Sequence, residues 1–338
     1  MNSLVIAPQW IGDAVMTEPL LRRLKARGER LTVGALPWVA PVYRAMPSVA
    51  GVIELPFQHG ALQLKARRDL GRAIKGRFDV AYVLPNSFKS ALLPLLANIP
   101  KRVGYLGEAR VGLLTHRLPN PPKGQRPPMV AFYARLSGDT DGAQDQPQLQ
   151  VDAAATDTAL AALGLTRGGY TVFVPGADYG PAKRWPSARF AELALAQGLP
   201  IVLLGSAKET VLCEEIAAPV NAMVPGRCLN LAGKTSLADA FMVISAAKQV
   251  VSNDSGLMHV AAALGVPQVA IFGSSSPLHT PPLNDKATVL WLKTDASYQP
   301  PLDCAPCFER VCPLSEANGH MRCLNDILPD AVLKKMQL

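Results

Sequence analysis

The stretch VVSNDSGLMHVAAALGVPQVAIFG, residues 250–273, decides the fold. A short apolar run ends in the tight loop NDSG, a helical run follows, Gly265 stops it, and a second apolar run closes the unit. Short apolar runs bounded by turn residues read as strands buried on both faces. A strand, a helix and a second strand in that order build a parallel sheet. The chemistry of the junction is less ordinary. Asp254, Ser255 and Gly256 fill the loop, and His259 follows about one turn into the helix.

The same alternation runs through the chain. SLVIAP, LTVGALP, GVIELP, FDVAYVLP and KRVGYLG read as strands of a first series, YTVFVPG and PIVLLGS as strands of a second. Helical spacing occupies the segments between, from AVMTEPLLRRLKARG, where Pro19 should kink the helix or confine its first turn, to LADAFMVISAAK. ATDTALAALGL is expected to close the first half, and residues 139–150, polar throughout, to form a loose connection. The expectation is an α/β protein of two Rossmann-like, doubly wound domains, 1–165 and 166–338, with the last helix a candidate to pack back on the N-terminal domain. No Gly-x-Gly-x-x-Gly follows either first strand, which weakens a dinucleotide-binding reading.

Composition narrows the class. The 338 residues carry a net charge of +8, unevenly spread: residues 1–169 hold 21 Lys and Arg against 12 Asp and Glu, residues 170–338 hold 13 against 14. An excess confined to one half points to an anionic partner for that half. No uncharged apolar stretch of about 18 residues is present, so no helix should span a membrane. The opening MNSLVIAPQWIGDAV reads as a buried strand rather than a secretory signal, so a cytoplasmic location is expected.

Ligands of open α/β sheets bind beyond the carboxyl ends of the strands, where helix N-termini offer free N–H groups and positive potential to phosphate oxygens. The Asp254–Gly256 loop suits that task, with the Ser255 hydroxyl as a further donor and His259 within reach. On spacing alone, a helix cap at Asp254 or Ser255 and a half-buried His259 explain the residues equally well. Two further polar loops favour the ligand. PGADYGPAKRWP brings Lys183 and Arg184 to the end of the strand YTVFV, and GKTSL, residues 233–237, is a third insertion at a strand end.

These blocks, with PQWIGDAVMTEPLLRRLK at the N-terminus, resemble the ADP-heptose:lipopolysaccharide heptosyltransferases over nearly the whole chain, and PGADYGPAKRWP resembles the type II branch. The resemblance implies a GT-B glycosyltransferase architecture, two Rossmann-like domains facing across a cleft. The N-terminal domain would bind the acceptor and the C-terminal domain ADP-heptose. It implies inverting transfer of heptose to the first heptose of heptosyl-Kdo2-lipid A, on the cytoplasmic face of the inner membrane, with no metal required. Carried onto this sequence, Asp13 matches the proposed general base, although a plain helix cap explains it as well by spacing. Lys183 matches the lysine near the donor phosphates. Asp254, Ser255, Gly256 and His259 match the donor block, Thr235 the adenine contact and Glu209 a ribose-binding acid. Ser255 stands where relatives often have Thr, and the hydroxyl is kept.

The basic run Lys65, Arg67, Arg68, Arg72, Lys75 and Arg77 on an amphipathic segment then suits an acceptor with carboxylates and phosphates in an anionic membrane, each cation adding about 1 kcal/mol. Few aromatics accompany the run, so a nucleic-acid stacking platform is missing. Cys304, Cys307, Cys312 and Cys323 fall within twenty residues. A structural zinc, a reversible disulfide and free thiols all remain open, with bound metal the less favoured. Cys213 and Cys228 read as buried and inert. The rival functions are a type I or III heptosyltransferase with another acceptor, a nucleotide-sugar epimerase, and a non-catalytic nucleotide- or lipopolysaccharide-binding protein.

Overall fold

Apolar strands buried on both faces organise two separate parallel sheets. The computed structural model describes residues 1–58, 60–138 and 145–336. The chain divides into two units, Met1–Gln150 and Val151–Leu338.

In the first unit the order is β1 (Asn2–Ile6), α1 (Ile11–Met16), α2 (Glu18–Ala26), β2 (Arg30–Ala35), α3 (Ala40–Arg44), β3 (Val49–Glu54), α4 (Leu64–Ile74), β4 (Val80–Val83), α5 (Phe88–Leu96), β5 (Lys101–Tyr105), β6 (His116–Leu118) and α6 (Met129–Ala134). The sheet runs β3-β2-β1-β4-β5-β6, all parallel. Strand order reverses between β1 and β4. The expected single helix after β1 is two. Thr17 interrupts it, its hydroxyl bonded to Ala14 O at 2.6 Å, and Pro19 is accommodated in the first turn of α2, where no N–H is needed.

The second unit holds α7 (Ala153–Ala162), β7 (Thr171–Val174), α8 (Ser187–Ala196), β8 (Ile201–Leu203), α9 (Thr210–Met223), β9 (Cys228–Asn230), α10 (Leu237–Ser245), β10 (Gln249–Asn253), α11 (Gly256–Ala263), β11 (Gln268–Ile271), β12 (Ala287–Leu290), α12 (Arg322–Asn325) and α13 (Pro329–Leu333). The sheet runs β12-β11-β10-β7-β8-β9, with its order reversing between β7 and β10. Phe173, Trp185, Phe190, Ile216, Val251 and Ile271 share one buried core beneath it.

Three expectations are corrected. The boundary lies at residue 150, not 165, because α7 packs on α10 of the second unit and Gly168 N–H bonds Ala246 O at 2.8 Å. The last helix, α13, packs on α8 of its own unit, and Val332 and Met336 enter the core with Phe190. Of the polar connection, residues 139–144 lie outside the described residues, and the remainder is tied down rather than loose. Arg23 pairs with Asp145 at 2.6 Å, Gln148 N–H donates to Glu18 at 3.1 Å, and Gln150 N–H to Ala45 O at 2.8 Å. Among the described residues no helix is long and apolar enough to cross a membrane.

Candidate functional site

In the second unit, strand ends set out the candidate residues in a row. Thr235 follows β9, Glu209 follows β8, Lys183 follows β7, and Asp254, Ser255, Gly256 and His259 follow β10. These four strands are neighbours in the order β10-β7-β8-β9. At about 4.8 Å per strand the row spans roughly 14 Å, the scale of a nucleoside diphosphate. The point where strand order reverses, between β7 and β10, lies within it.

Asn253, fully buried at the end of β10, sets the loop after β7. Its side-chain amide donates to Pro175 O at 2.6 Å, and its carbonyl accepts from Trp185 N–H at 3.0 Å. The buried Trp185 indole donates to Ile327 O at 2.9 Å, so both ends of the loop are pinned. Lys183, in a short 3-10 turn between those pins, places its ammonium 2.5 Å from Asp254 Oδ2. The Lys183 ammonium also lies 5.2 Å from the centroid of the Tyr179 ring.

Ser255 is the N-cap of α11, accepting from Met258 N–H, and Gly256 is the first helical residue. The cap and ligand readings therefore coexist, since the cap uses one lone pair and leaves the hydroxyl proton free. His259 is 5% exposed, and its protonation is pushed down to about 4, chiefly by burial, with Lys183 adding to the effect and Asp254 opposing it. The imidazole is neutral at physiological pH, a hydrogen-bonding group rather than a cation.

Glu209 closes a capping box, accepting from Ser206 N–H at 2.7 Å and Ser206 Oγ at 3.0 Å. Its carboxylate lies over Gly176, the turn after β7, where a Cβ would overlap it, and close to Gly205 after β8. Glycine at these two strand ends is what lets a carboxylate sit on the sheet edge.

In the first unit, Asp13 lies in the first turn of α1, after β1 and beside the reversal of strand order. The cap reading is corrected, because Trp10 holds the N-cap position. α1 packs on α3 and α6, which bring two buried phenols, Tyr43 and Tyr133, to Asp13. Both are pushed up, first by burial and further by the Asp13 carboxylate. Neither tyrosine was singled out by sequence, and their helical spacing with other apolar residues marks them only as core.

Lys65, Arg68 and Arg72 on α4 are exposed, but Arg67 is not an outward-facing cation, and this corrects the expectation. It is 6% exposed, its guanidinium stacks 4.1 Å from the Phe57 centroid, and Nε donates to Leu62 O at 2.6 Å. Helical periodicity turns this position of the run inward.

Burial, with Cys304, Cys307 and Cys312 adding to it, pushes the Cys323 thiol up to about 12. All six cysteines are free thiols, and among the described residues no three His, Cys, Asp or Glu side chains are arranged to hold a metal. Cys213 and Cys228 are buried, which raises them to about 12 and about 11.

Residues 67–317 match the profile of glycosyltransferase family 9 (heptosyltransferase). Lipopolysaccharide heptosyltransferase 2 of Salmonella typhimurium and that of Escherichia coli K12 are each 42% identical over 353 residues, covering 99% of this chain and 97% of theirs. The structure of E. coli ADP-heptose lps heptosyltransferase II superposes with a TM-score of 0.83 at 40% identity, covering 99% of this chain and 97% of that one. A family 9 glycosyl transferase from Veillonella parvula shares the fold at a TM-score of 0.80 and 21% identity, over 99% and 95% of the chains. The two parallel six-stranded sheets are thus the GT-B-like fold of these enzymes, and the chain belongs to glycosyltransferase family 9, the heptosyltransferases.

Proposed function

We propose that this chain is an inverting heptosyltransferase that moves L-glycero-D-manno-heptose from ADP-heptose to the first heptose of the lipopolysaccharide inner core, heptosyl-Kdo2-lipid A. The observation that carries the reading is the row of Thr235, Glu209, Lys183 and the Asp254–His259 block along one sheet edge, in a chain 42% identical to heptosyltransferase 2 enzymes. In this reading the second unit holds the donor. Adenine lies toward Thr235, ribose toward Glu209, and the diphosphate at Lys183 and the N-terminus of α11.

The first unit supplies the acceptor side. An acceptor hydroxyl oxygen attacks the anomeric carbon as the bond to the ADP oxygen breaks, and that electron pair leaves with the phosphate. Asp13 takes the hydroxyl proton as general base. Attack on the face opposite the leaving group inverts the centre without a covalent intermediate. Lys183 and the α11 N-terminus stabilise the departing charge, so the reaction needs no divalent cation. The exposed cations of α4 meet an anionic membrane surface peripherally, on the inner membrane's cytoplasmic face.

The test is incubation of purified protein with ADP-heptose and either Kdo2-lipid A or its mono-heptosylated form, in buffer containing EDTA. Product is expected from the mono-heptosylated acceptor alone. Asp13→Ala should cut turnover by about 10²- to 10⁴-fold while ADP affinity stays unchanged. Undiminished turnover in that variant removes Asp13 as the base, and product from Kdo2-lipid A reassigns the acceptor.

A further inference from the structure

Of the two cations in the loop after β7, Lys183 faces Asp254 and Arg184 donates to Ala177 O at 3.1 Å within its own loop. Lys183 is committed to Asp254 at 2.5 Å, so the pair cancels. His259 is neutral, and the N-terminus of α11 offers about half a charge. A diphosphate diester brings a negative charge on each of its phosphoryl groups. Further positive charge would complete the match.

The cysteine-rich loop is positioned to bring one. Phe308 N–H donates to Ser274 O at 2.7 Å, in the loop after β11. Phe308 O accepts from the Tyr179 hydroxyl at 2.6 Å, in the loop after β7. Phe308 therefore links the loops that follow β11 and β7, the two strands that flank β10. The approach is close. Ala182 N–H donates to Arg310 O at 3.1 Å, and a Cβ at Gly180 would overlap that same carbonyl, so glycine is required there for the loops to meet. The Arg310 guanidinium lies 5.6 Å from the centroid of the Tyr179 ring, whose other cation is Lys183 at 5.2 Å. One ring therefore gathers two cations. Among the described residues Arg310 has no carboxylate partner within ion-pair distance, unlike Lys183.

We infer that Arg310, delivered by the cysteine-rich loop and held on Tyr179, is the second cation of the nucleoside-diphosphate site, binding the donor's diphosphate together with Lys183. The inference rests on the donor-site reading of the second unit and adds to it a residue from a segment that the row of strand ends does not contain. Arginine suits the task because its planar fork can grip two phosphate oxygens at once. A bound diphosphate draws Lys183 from Asp254 only in part, and Arg310 supplies the remaining charge without breaking any ion pair.

Calorimetric titration with ADP tests it on the full chain. Arg310→Gln is expected to weaken ADP binding about tenfold, equivalent to about 1.4 kcal/mol. Arg310→Lys should recover most of the loss, and Glu309→Gln, the neighbouring charge, should leave ADP affinity unchanged. The KM for ADP-heptose should rise in parallel with the KM for acceptor unaltered. Tyr179→Leu removes the ring without touching a charge and should weaken ADP by a smaller factor. Arg310→Gln protein that melts at the wild-type temperature and binds ADP as tightly as wild type overturns the inference. If Lys183→Gln then still weakens ADP, the donor site stands and only the role of Arg310 falls. Wild-type protein that binds neither ADP nor ADP-heptose removes both.

Discussion

His259 sits in the first turn of α11, enclosed, with its imidazole titrating near 4 instead of 6.5 because burial opposes its charge. Between those values the unfolded chain binds a proton that the folded chain refuses. Stability from this residue is therefore whole above pH 6.5, falls as the pH drops toward 4, and levels off below, by about 3 kcal/mol in all. Glu18 acts in the opposite sense. Burial raises it to about 7, despite Arg22 at 3.8 Å, so its folded form keeps a proton and its contribution is lost as pH rises from 4.5 through 7. The two slopes partly cancel, and a single variant separates them. His259→Gln should lose less stability than wild type between about pH 7 and about pH 5 in urea unfolding, while Glu18 acts equally in both proteins. Equal losses would mean that the imidazole titrates normally in the folded chain. At this scale the sequence displayed which polar residues gather beyond the strand ends. The inward turn of Arg67 and the approach of Tyr133 to Asp13 came only with the packing of helices.

One side chain on another strand anchors the loop between β7 and α8 at both ends. Asn253 satisfies Pro175 O and Trp185 N–H together. Asn253→Ala leaves both buried groups without a partner, at a cost of about 1–3 kcal/mol each before any relaxation. We expect a lower unfolding midpoint and weaker ADP binding, because Lys183 lies between the two anchored points. Wild-type stability with wild-type ADP affinity would show that the loop keeps its conformation without the asparagine. The strands that the sequence revealed most openly are the central ones, β1, β4, β7, β10 and β11, whose residues are almost all buried. β6 (HRL) and β12 (ATVL) escaped, and β9 (CLN) showed only through the polar loop GKTSL beyond its end. All three lie at sheet edges, where a half-exposed strand of three or four residues needs no apolar run.

Across the whole chain the charge divides as the units do. Residues 1–150 carry 20 Lys and Arg against 10 Asp and Glu, and residues 151–338 carry 14 against 16. If the exposed cations of α4 meet anionic lipid, reversing Lys65, Arg68 and Arg72 to Glu should abolish most binding to phosphatidylserine-containing vesicles, and added salt should do the same to wild type. Arg67→Gln, a change in a buried brace, should lower stability instead. Vesicle binding indifferent to salt would remove the electrostatic contact. By itself the sequence determined the α/β class, the two series of strands and the family, because buried parallel strands and the polar blocks beyond their ends need particular residue types in contiguous order. The tertiary structure alone decided the boundary at residue 150, the packing of α13 on α8, the burial of Arg67 and the link that residues 308–310 make between the loops after β11 and β7. Each of these joins segments distant in the chain through surface complementarity and single hydrogen bonds, and such pairings leave no periodic trace in the order of residues.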